Sequence, residues 1–239
     1  MTNYSLYAKN LTDMPTMGQV LINTINQYSF CMAENDSDFK DALEESDVLL
    51  PDGVGVTAAF RFLTGKKINK IAGADLHDYL LSDLNSKRGS CFYLGSSEST
   101  LQKIKDRLSV EYPYLRVNTY SPPYAEKFTD LANQRMLDEV NAFRPDVLFV
   151  GMTAPKQEKW AHQNRAQLNT KMICCIGAVF DFYACTTKRP SKVWINLGFE
   201  WLGRLISEPK RLWKRYLYFG PIFLWHITKT KIYSTKVLS

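Results

Sequence analysis

Only five cysteines occur in the 239-residue chain (Cys31, Cys91, Cys174, Cys175 and Cys185), and no two are spaced as Cys-x-x-Cys. The odd count, and the placing of Cys91, Cys174 and Cys175 inside apolar runs, argue against a disulfide framework or a zinc-ribbon set. They read as buried thiols in a reducing compartment. The N-terminus, Met-Thr-Asn-Tyr-Ser-Leu-Tyr, has no apolar signal segment, and no run reaches the roughly 18–20 apolar residues of a bilayer span. The expected location is cytoplasmic. Internal repeats and low-complexity stretches are missing too. So are a Gly-rich phosphate loop ending in Gly-Lys-Ser/Thr, a Gly-x-Gly-x-x-Gly fingerprint and a Gly-x-Ser-x-Gly elbow. The three histidines, His77, His162 and His226, stand at no metal-ligand spacing.

Acidic residues are scarce in one place. From Thr186 to Ser239 there are 11 Lys+Arg against two acids, Glu200 and Glu208, a local charge of +9. Residues 1–185 carry 19 Lys+Arg against 22 acids, or −3. Four of the five tryptophans, Trp194, Trp201, Trp213 and Trp225, lie in the basic stretch. The body is mildly acidic and the tail is a separate basic module, which points to a polyanionic partner: anionic lipid, nucleic acid or a phosphorylated substrate. Tail residues with Arg at helical spacing among Trp and Leu favour a membrane interface over nucleic acid. A basic helix docked on its own domain is the plainer alternative.

What is present is a series of short apolar runs closed by glycine and followed by helical patterns. The predicted strands are Val48 to Gly53, Ser90 to Gly95, Arg116 to Tyr120, 146–150 and 171–177. The predicted helices are Met17 to Glu34, Asp38 to Ser46, Ala58 to Thr64, Asp75 to Leu84, Ser99 to about Tyr112, Phe128 to Ala142 and 156–168. In the tail, Trp194 to Ile206 and a second segment from Pro209 to about Tyr218 have helical spacing. The fold class is α/β: a Rossmann-like, mainly parallel sheet with helices on both faces (residues 1–190), plus a basic helical C-terminal appendage (residues 191–239). Ligands of such sheets bind beyond the carboxyl ends of the strands, where Gly53, Gly95, Gly151 and Gly177 cluster.

Asp52-Gly53 ends a strand, so the carboxylate is placed to take a proton from a hydroxyl while glycine lets the chain turn away. Thr24-Ile25-Asn26 groups a hydroxyl and an amide, although alone it reads as a surface helix. Gly151-Met-Thr-Ala-Pro-Lys-Gln157-Glu158 runs from a strand into a helix that Thr153 can cap, an arrangement suited to a phosphate or pyrophosphate. An Asp36-x-Asp38 pair invites a divalent metal, but its position directly before a helix makes N-capping the better reading, and no metal or cofactor is expected.

Taken in order, these segments resemble a known family. They are Thr24-x-Asn26, Leu50-Pro-Asp52-Gly53-Val-Gly55, Gly73-x-Asp75, Phe92-Tyr-Leu-Gly95, Gly151-Met-Thr-Ala-Pro-Lys-Gln157-Glu158, Gly177-Ala-Val-Phe-Asp181-Phe, and Gly198-Phe-Glu-Trp201-Leu-Gly-Arg204-Leu-Ile-Ser-Glu-Pro209-Lys-Arg211. The likeness, over about residues 20–220, is to the WecG/TagA/CpsF family, glycosyltransferase family 26. It implies a metal-independent, inverting transfer of a sugar from a UDP donor to an undecaprenyl-diphosphate-linked sugar in cell-surface polysaccharide synthesis. The enzyme would sit peripherally on the inner face of the cell membrane, on anionic lipid, with no nucleic acid and with a homo-oligomer left open. N-acetylmannosamine or its uronic acid is the leading sugar, and UDP-glucose is the alternative donor; a non-enzymatic membrane-binding module is the competing class. By carry-over, Asp52 matches the base. Thr24, Asn26 and Gln157 match polar groups of the pocket, with Gly53, Gly151 and Glu158 beside them. Arg204, Arg211 and Arg215 match basic positions that would hold a diphosphate. The chain departs from the family pattern at Lys70, where Arg is usual, at Cys185 in place of Gly, and at Arg189-Pro190-Ser191.

Overall fold

A computed structural model describes residues 4–185 and 200–237. Six parallel strands form one sheet: β1 (Val20–Ile25), β2 (Val48–Pro51), β3 (Ser90–Gly95), β4 (Arg116–Tyr120), β5 (Val147–Gly151) and β6 (Met172–Cys175), in the order β2-β1-β6-β5-β3-β4. The helices of the body are α1 (Gln27–Ala33), α2 (Ser37–Glu44), α3 (Val54–Thr64), α4 (Gly73–Ser86), α5 (Glu98–Glu111), α6 (Asp130–Phe143), α7 (Lys156–Asn164) and α8 (Gly177–Tyr183). The C-terminal part is α9 (Glu200–Ser207), α10 (Pro209–Trp213), one π-helical turn (Lys214–Tyr218) and α11 (Phe219–Val237). The expected Rossmann-like architecture is therefore observed, with the C-terminal helical part present.

Alternation along the strands sorts the core into two layers, because successive side chains of a strand point to opposite faces. Val20, Ile22, Tyr93, Phe149 and Cys174 pack with α4, α5 and α8 on one face. Leu21, Phe92, Leu94, Val150 and Cys175 pack with α6 and α7 on the other. A third cluster, Ile25, Phe30, Phe39, Val56 and Ala59, is completed from the far end of the chain by Phe223 and Ile227 of α11. The last helix thus buries part of its surface on α1 and α3. The four cysteines other than Cys185 are buried free thiols.

Two expectations fail. Met17 to Glu34 is not one helix but β1 followed by α1. β1 is buried on both faces, so its apolar run has no period that distinguishes it from a helix, and the nitrogen of its buried Asn23 amide is held internally: Nδ2 donates to the Ala42 carbonyl at 3.0 Å and to Ser46 Oγ at 2.9 Å. Asn26 is the break. Its Oδ1 accepts the N–H groups of Tyr28 and Ser29 at 3.0 and 3.1 Å, a helix N-cap. The second failure is at 171–177, where the strand ends at Cys175; Phe180-Asp181-Phe182 belongs to α8. Trp194, Arg189, Pro190 and Ser191 lie outside the described residues.

Carboxylates at the amino ends of the strands are structural. Asp146 accepts from the Ser90 N–H at 2.8 Å, from Ser90 Oγ at 2.9 Å and from Lys171 at 2.8 Å. Asp47 holds the Leu21 N–H at 2.7 Å and Arg165 at 2.8 Å. The opposite end of the sheet is where the molecule opens.

Candidate active site

β2 runs on for one residue beyond its end, the Asp52 N–H donating to the Ile25 carbonyl at 2.9 Å. This fixes Asp52 beside Asn26, the first residue after β1. Gly53 then takes φ +114°, ψ 145°, a backbone that L side chains rarely adopt, and the chain turns directly into α3. After α3 the segment returns, and the Ile71 N–H donates to the Pro51 carbonyl at 3.1 Å, which sets Lys70 against the same strand end.

Asn26, Gln27, Asp52, Gly53, Val54, Gly55 and Lys70 form one wall of a cavity of about 680 Å³. The facing wall comes from the C-terminal part: Trp201, Arg215, Tyr216, Leu217, Phe223, Leu224 and Ile227. Polar and charged groups collect at the strand ends. Ala58, Ala59 and Phe62 of α3 and Leu224 and Ile227 of α11 make up an apolar part of the lining. Among the wall residues, Trp201 and Tyr216 lie 5.7 Å apart, centroid to centroid. The Arg215 guanidinium stands 5.5 Å over the Tyr28 ring, a cation–π contact that desolvation strengthens.

The arrangement offers a carboxylate to accept a proton, two cations of opposite origin (Lys70 and Arg215), and the first turn of α3. N–H groups of a helix start have no partner within the helix and favour an anion. It is a cavity that combines charged and polar groups with an apolar side.

Of the residues predicted from sequence, Asn26, Asp52, Gly53, Lys70 and Arg215 are brought together here. Thr24 is half-buried within β1, in register with Leu50 of β2, and does not line the cavity. Arg204 and Arg211 fall on α9 and α10, but their side chains lie outside those described. Gly151, Gln157 and Glu158 are buried away from it. A Cβ on Gly151 would lie 2.3 Å from Phe180, so this glycine is needed for packing of the α8 ring on β5. Gln157 Oε1 accepts the Met152 and Gly177 N–H groups, both at 3.2 Å, and its Nε2 donates to Glu158 Oε1 at 2.8 Å. Thr153 does not cap α7: its carbonyl accepts from Lys156 N, and Pro155 stands at the cap position. The strand-to-helix turn that lines the cavity is Asp52-Gly53-Val-Gly55, while the turn at Gly151 does not line it.

Glu158 is only 3% exposed, and its Oε2 has no hydrogen-bond partner among the described residues. Burial drives its carboxyl up to about 7, against the Gln157 hydrogen bond, the main chain and the charge of Arg215, which pull it down. Gln27, Trp201 and Tyr216 are wall residues not singled out as ligands from sequence. The Trp201 motif marked the segment, but no local signal says which way an aromatic ring faces.

Asp36 caps α2 through the Phe39 N–H at 3.1 Å and pairs with Lys159 at 2.7 Å, while Asp38 lies 3.8 Å from the same ammonium. Burial would raise the Asp36 carboxyl, but Lys159 and the Phe39 N–H hold it below its ordinary value. Among the described residues, no group of three His, Cys, Asp or Glu side chains is placed to hold a metal ion. His77 sits in the core with Nε2 2.7 Å from Tyr93 OH, and His162 is 2.9 Å from Glu45.

A model of the Glycosyl transferase WecG/TagA/CpsF family matches residues 3–237. The chain belongs to that family. Three relatives carry the name N-acetylglucosaminyldiphosphoundecaprenol N-acetyl-beta-D-mannosaminyltransferase. The one from Bacillus subtilis (strain 168) is 32% identical over 197 residues, 82% of this chain and 75% of its own length. That of Bacillus spizizenii is 28% identical over 75% of this chain and 67% of its own. That of Staphylococcus aureus (strain MRSA252) is 26% identical over 81% and 73%.

Proposed function

We propose that this glycosyltransferase moves a sugar, N-acetylmannosamine or a close relative, from a UDP donor to a sugar carried on undecaprenyl diphosphate, with inversion and without a metal. The observation that carries the reading is one cavity lined by Asp52, Lys70 and Arg215 together with the apolar Phe62, Leu224 and Ile227. An acceptor sugar hydroxyl set against Asp52 would lose its proton as its oxygen attacks the anomeric carbon. The bond from that carbon to the UDP oxygen breaks on the opposite face. Lys70, Arg215 and the α3 N–H groups offset the charge on the departing diphosphate, a role for which a divalent ion is the usual alternative. The isoprenoid of the acceptor suits the apolar side. The names of the relatives support the acceptor class and the sugar.

The same reading puts the protein on the inner face of the membrane. Trp213, Leu217, Tyr218, Leu224 and Trp225 are exposed, and Lys229 lies 4.8 Å over the Trp225 ring, a mix of aromatic and cationic groups suited to an anionic interface. Among the described residues no helix is long and apolar enough to cross a membrane. The direct test is UDP release from a panel of UDP-sugars with an undecaprenyl-diphosphate-linked acceptor, alongside sedimentation with anionic and neutral vesicles. Turnover with UDP-N-acetylmannosamine is expected; absence of UDP release with every donor would favour a non-enzymatic binding module.

A further inference from the structure

Tyr28 stands in the first turn of α1, two residues after the cavity residue Asn26, whose Oδ1 accepts its N–H at 3.0 Å. It is half-buried and does not line the cavity. Its ring meets the C-terminal part twice. The Phe219 ring lies edge to face with it, centroids 5.0 Å apart and planes at 81°, and the Arg215 guanidinium stands 5.5 Å over its centroid. One turn further along α1, Cys31 Sγ donates to the Phe219 carbonyl at 3.7 Å. Residues three apart share a helix face, so one face of α1 seats the junction of the π-helical turn with α11. Arg215 belongs to that turn and lines the cavity. We propose that Tyr28 is a positioning residue whose ring face holds the Arg215 guanidinium at the cavity wall, where it meets the diphosphate of the leaving UDP. This rests on the reading of the cavity as a diphosphate site.

A long, flexible arginine loses its rotamer freedom on binding an anion unless it is held beforehand. An aromatic face attracts the cation through the ring quadrupole. This contact accepts none of the in-plane N–H groups, so it orders the guanidinium without using the donors that phosphate oxygens engage. The ring is itself a fixed surface. Asn26 caps the turn that carries it, and Phe219 packs against it from the C-terminal part. Tyr28 thereby links the placing of Asn26, on the body side of the cavity, to that of Arg215 on the C-terminal side. A purely structural role, packing α1 on α11, needs only the contact with Phe219. The contact with Arg215 is what separates the two roles.

The test is calorimetric titration of the full-length protein with UDP, paired with UDP release at saturating substrates. Tyr28→Phe keeps the ring and should match the wild type in both. Tyr28→Leu keeps apolar bulk but not the ring face, and UDP affinity and turnover should each fall by about 3–30-fold. In an Arg215→Gln background the same Tyr28→Leu change should cost no further UDP affinity, because the cation it acts through is gone. A residue that only packs α1 against α11 would cost the same in both backgrounds. If Tyr28→Leu does not fold, phenylalanines of rising fluorination at position 28 keep the shape of the ring while draining its quadrupole, and UDP affinity should fall stepwise with fluorination. Wild-type affinity in Tyr28→Leu or across the fluorinated series, equal losses in both Arg215 backgrounds, or a Tyr28→Phe as weak as Tyr28→Leu overturns the inference. A wild type that binds no UDP, or an Arg215→Gln that binds it as tightly as wild type, overturns the diphosphate reading beneath it, and the inference falls with that reading.

Discussion

Phe30 of α1 and Phe223 of α11 meet edge to face, with centroids 5.4 Å apart and planes at 86°. The contact joins the first helix of the body to the last helix of the chain, and Phe223 is at once core and cavity wall. Phe223→Ala should therefore cost about 3–5 kcal/mol, read as a lower urea midpoint, and turnover should fall with it. Truncation ahead of Glu200 would bare Phe30, Val56 and Ala59, so the shortened protein is expected to be less soluble than the full chain. A truncated protein that stays soluble and equally stable would show that α11 is not part of this core.

Asp52 tests the chemistry. Asp52→Asn keeps the shape of the side chain and leaves its main-chain bond to Ile25, yet it cannot accept the acceptor's proton. Turnover at saturating substrates should drop by roughly 10²–10⁴-fold, while UDP binding and melting temperature stay near wild type. Near-normal turnover would remove Asp52 from the role of base.

The fold was largely legible because parallel strands closed by glycine are local signals. Val48 to Pro51, Ser90 to Gly95 and Val147 to Gly151 all appear where the apolar runs placed them. β1 was not legible: Asn23 interrupts its run, and only the structure shows that its amide nitrogen is held inside by the Ala42 carbonyl and Ser46. The Asp52-Gly53 turn was readable for the same reason as the strands, since residue type and position coincide there. The roles of Gly151 and Gln157 were not. Whether a glycine yields to a ligand or to a ring such as Phe180 is decided by packing between elements remote in sequence. The same holds for Trp201 and Tyr216, whose facing depends on how α9 and the π-helical turn seat on the body.

Gly151→Ala separates those two uses of a glycine. The new Cβ would meet Phe180 at 2.3 Å, which α8 must shift to relieve. A loss of about 1–3 kcal/mol in stability is expected, with UDP affinity of the folded fraction unchanged. A specific loss of affinity at unchanged stability would return Gly151 to the ligand site.

Metal dependence follows from the pairing at the start of α2. Lys159 neutralises Asp36 at 2.7 Å, so the Asp36-x-Asp38 pair is engaged as a cap. Activity should survive excess EDTA. Asp36→Ala should lower stability by about 1 kcal/mol through loss of the cap, with little change in turnover. Loss of activity in chelator that Mg²⁺ or Mn²⁺ restores would overturn the metal-independent mechanism.

Glu158 also gives the pH dependence of stability a definite sign. Its folded value is raised from 4.5 to about 7 by burial, so the folded state binds more protons than the unfolded one between those limits. Stability from this group is then fully present below about pH 4.5 and is lost as pH rises through 7. The loss amounts to at most roughly 3 kcal/mol, since a tenfold change in proton affinity is worth about 1.4 kcal/mol. Asp36 and Asp146, whose values are lowered, act in the opposite sense and gain stability as pH rises through the acid range. Comparing wild type with Glu158→Gln by urea unfolding between about pH 5.5 and 8.5 isolates the first contribution, because the other carboxylates are common to both. The wild type should lose stability relative to the variant as pH rises. Parallel curves would mean that Glu158 is already ionised at pH 5.5, the Gln157 and main-chain hydrogen bonds outweighing its burial.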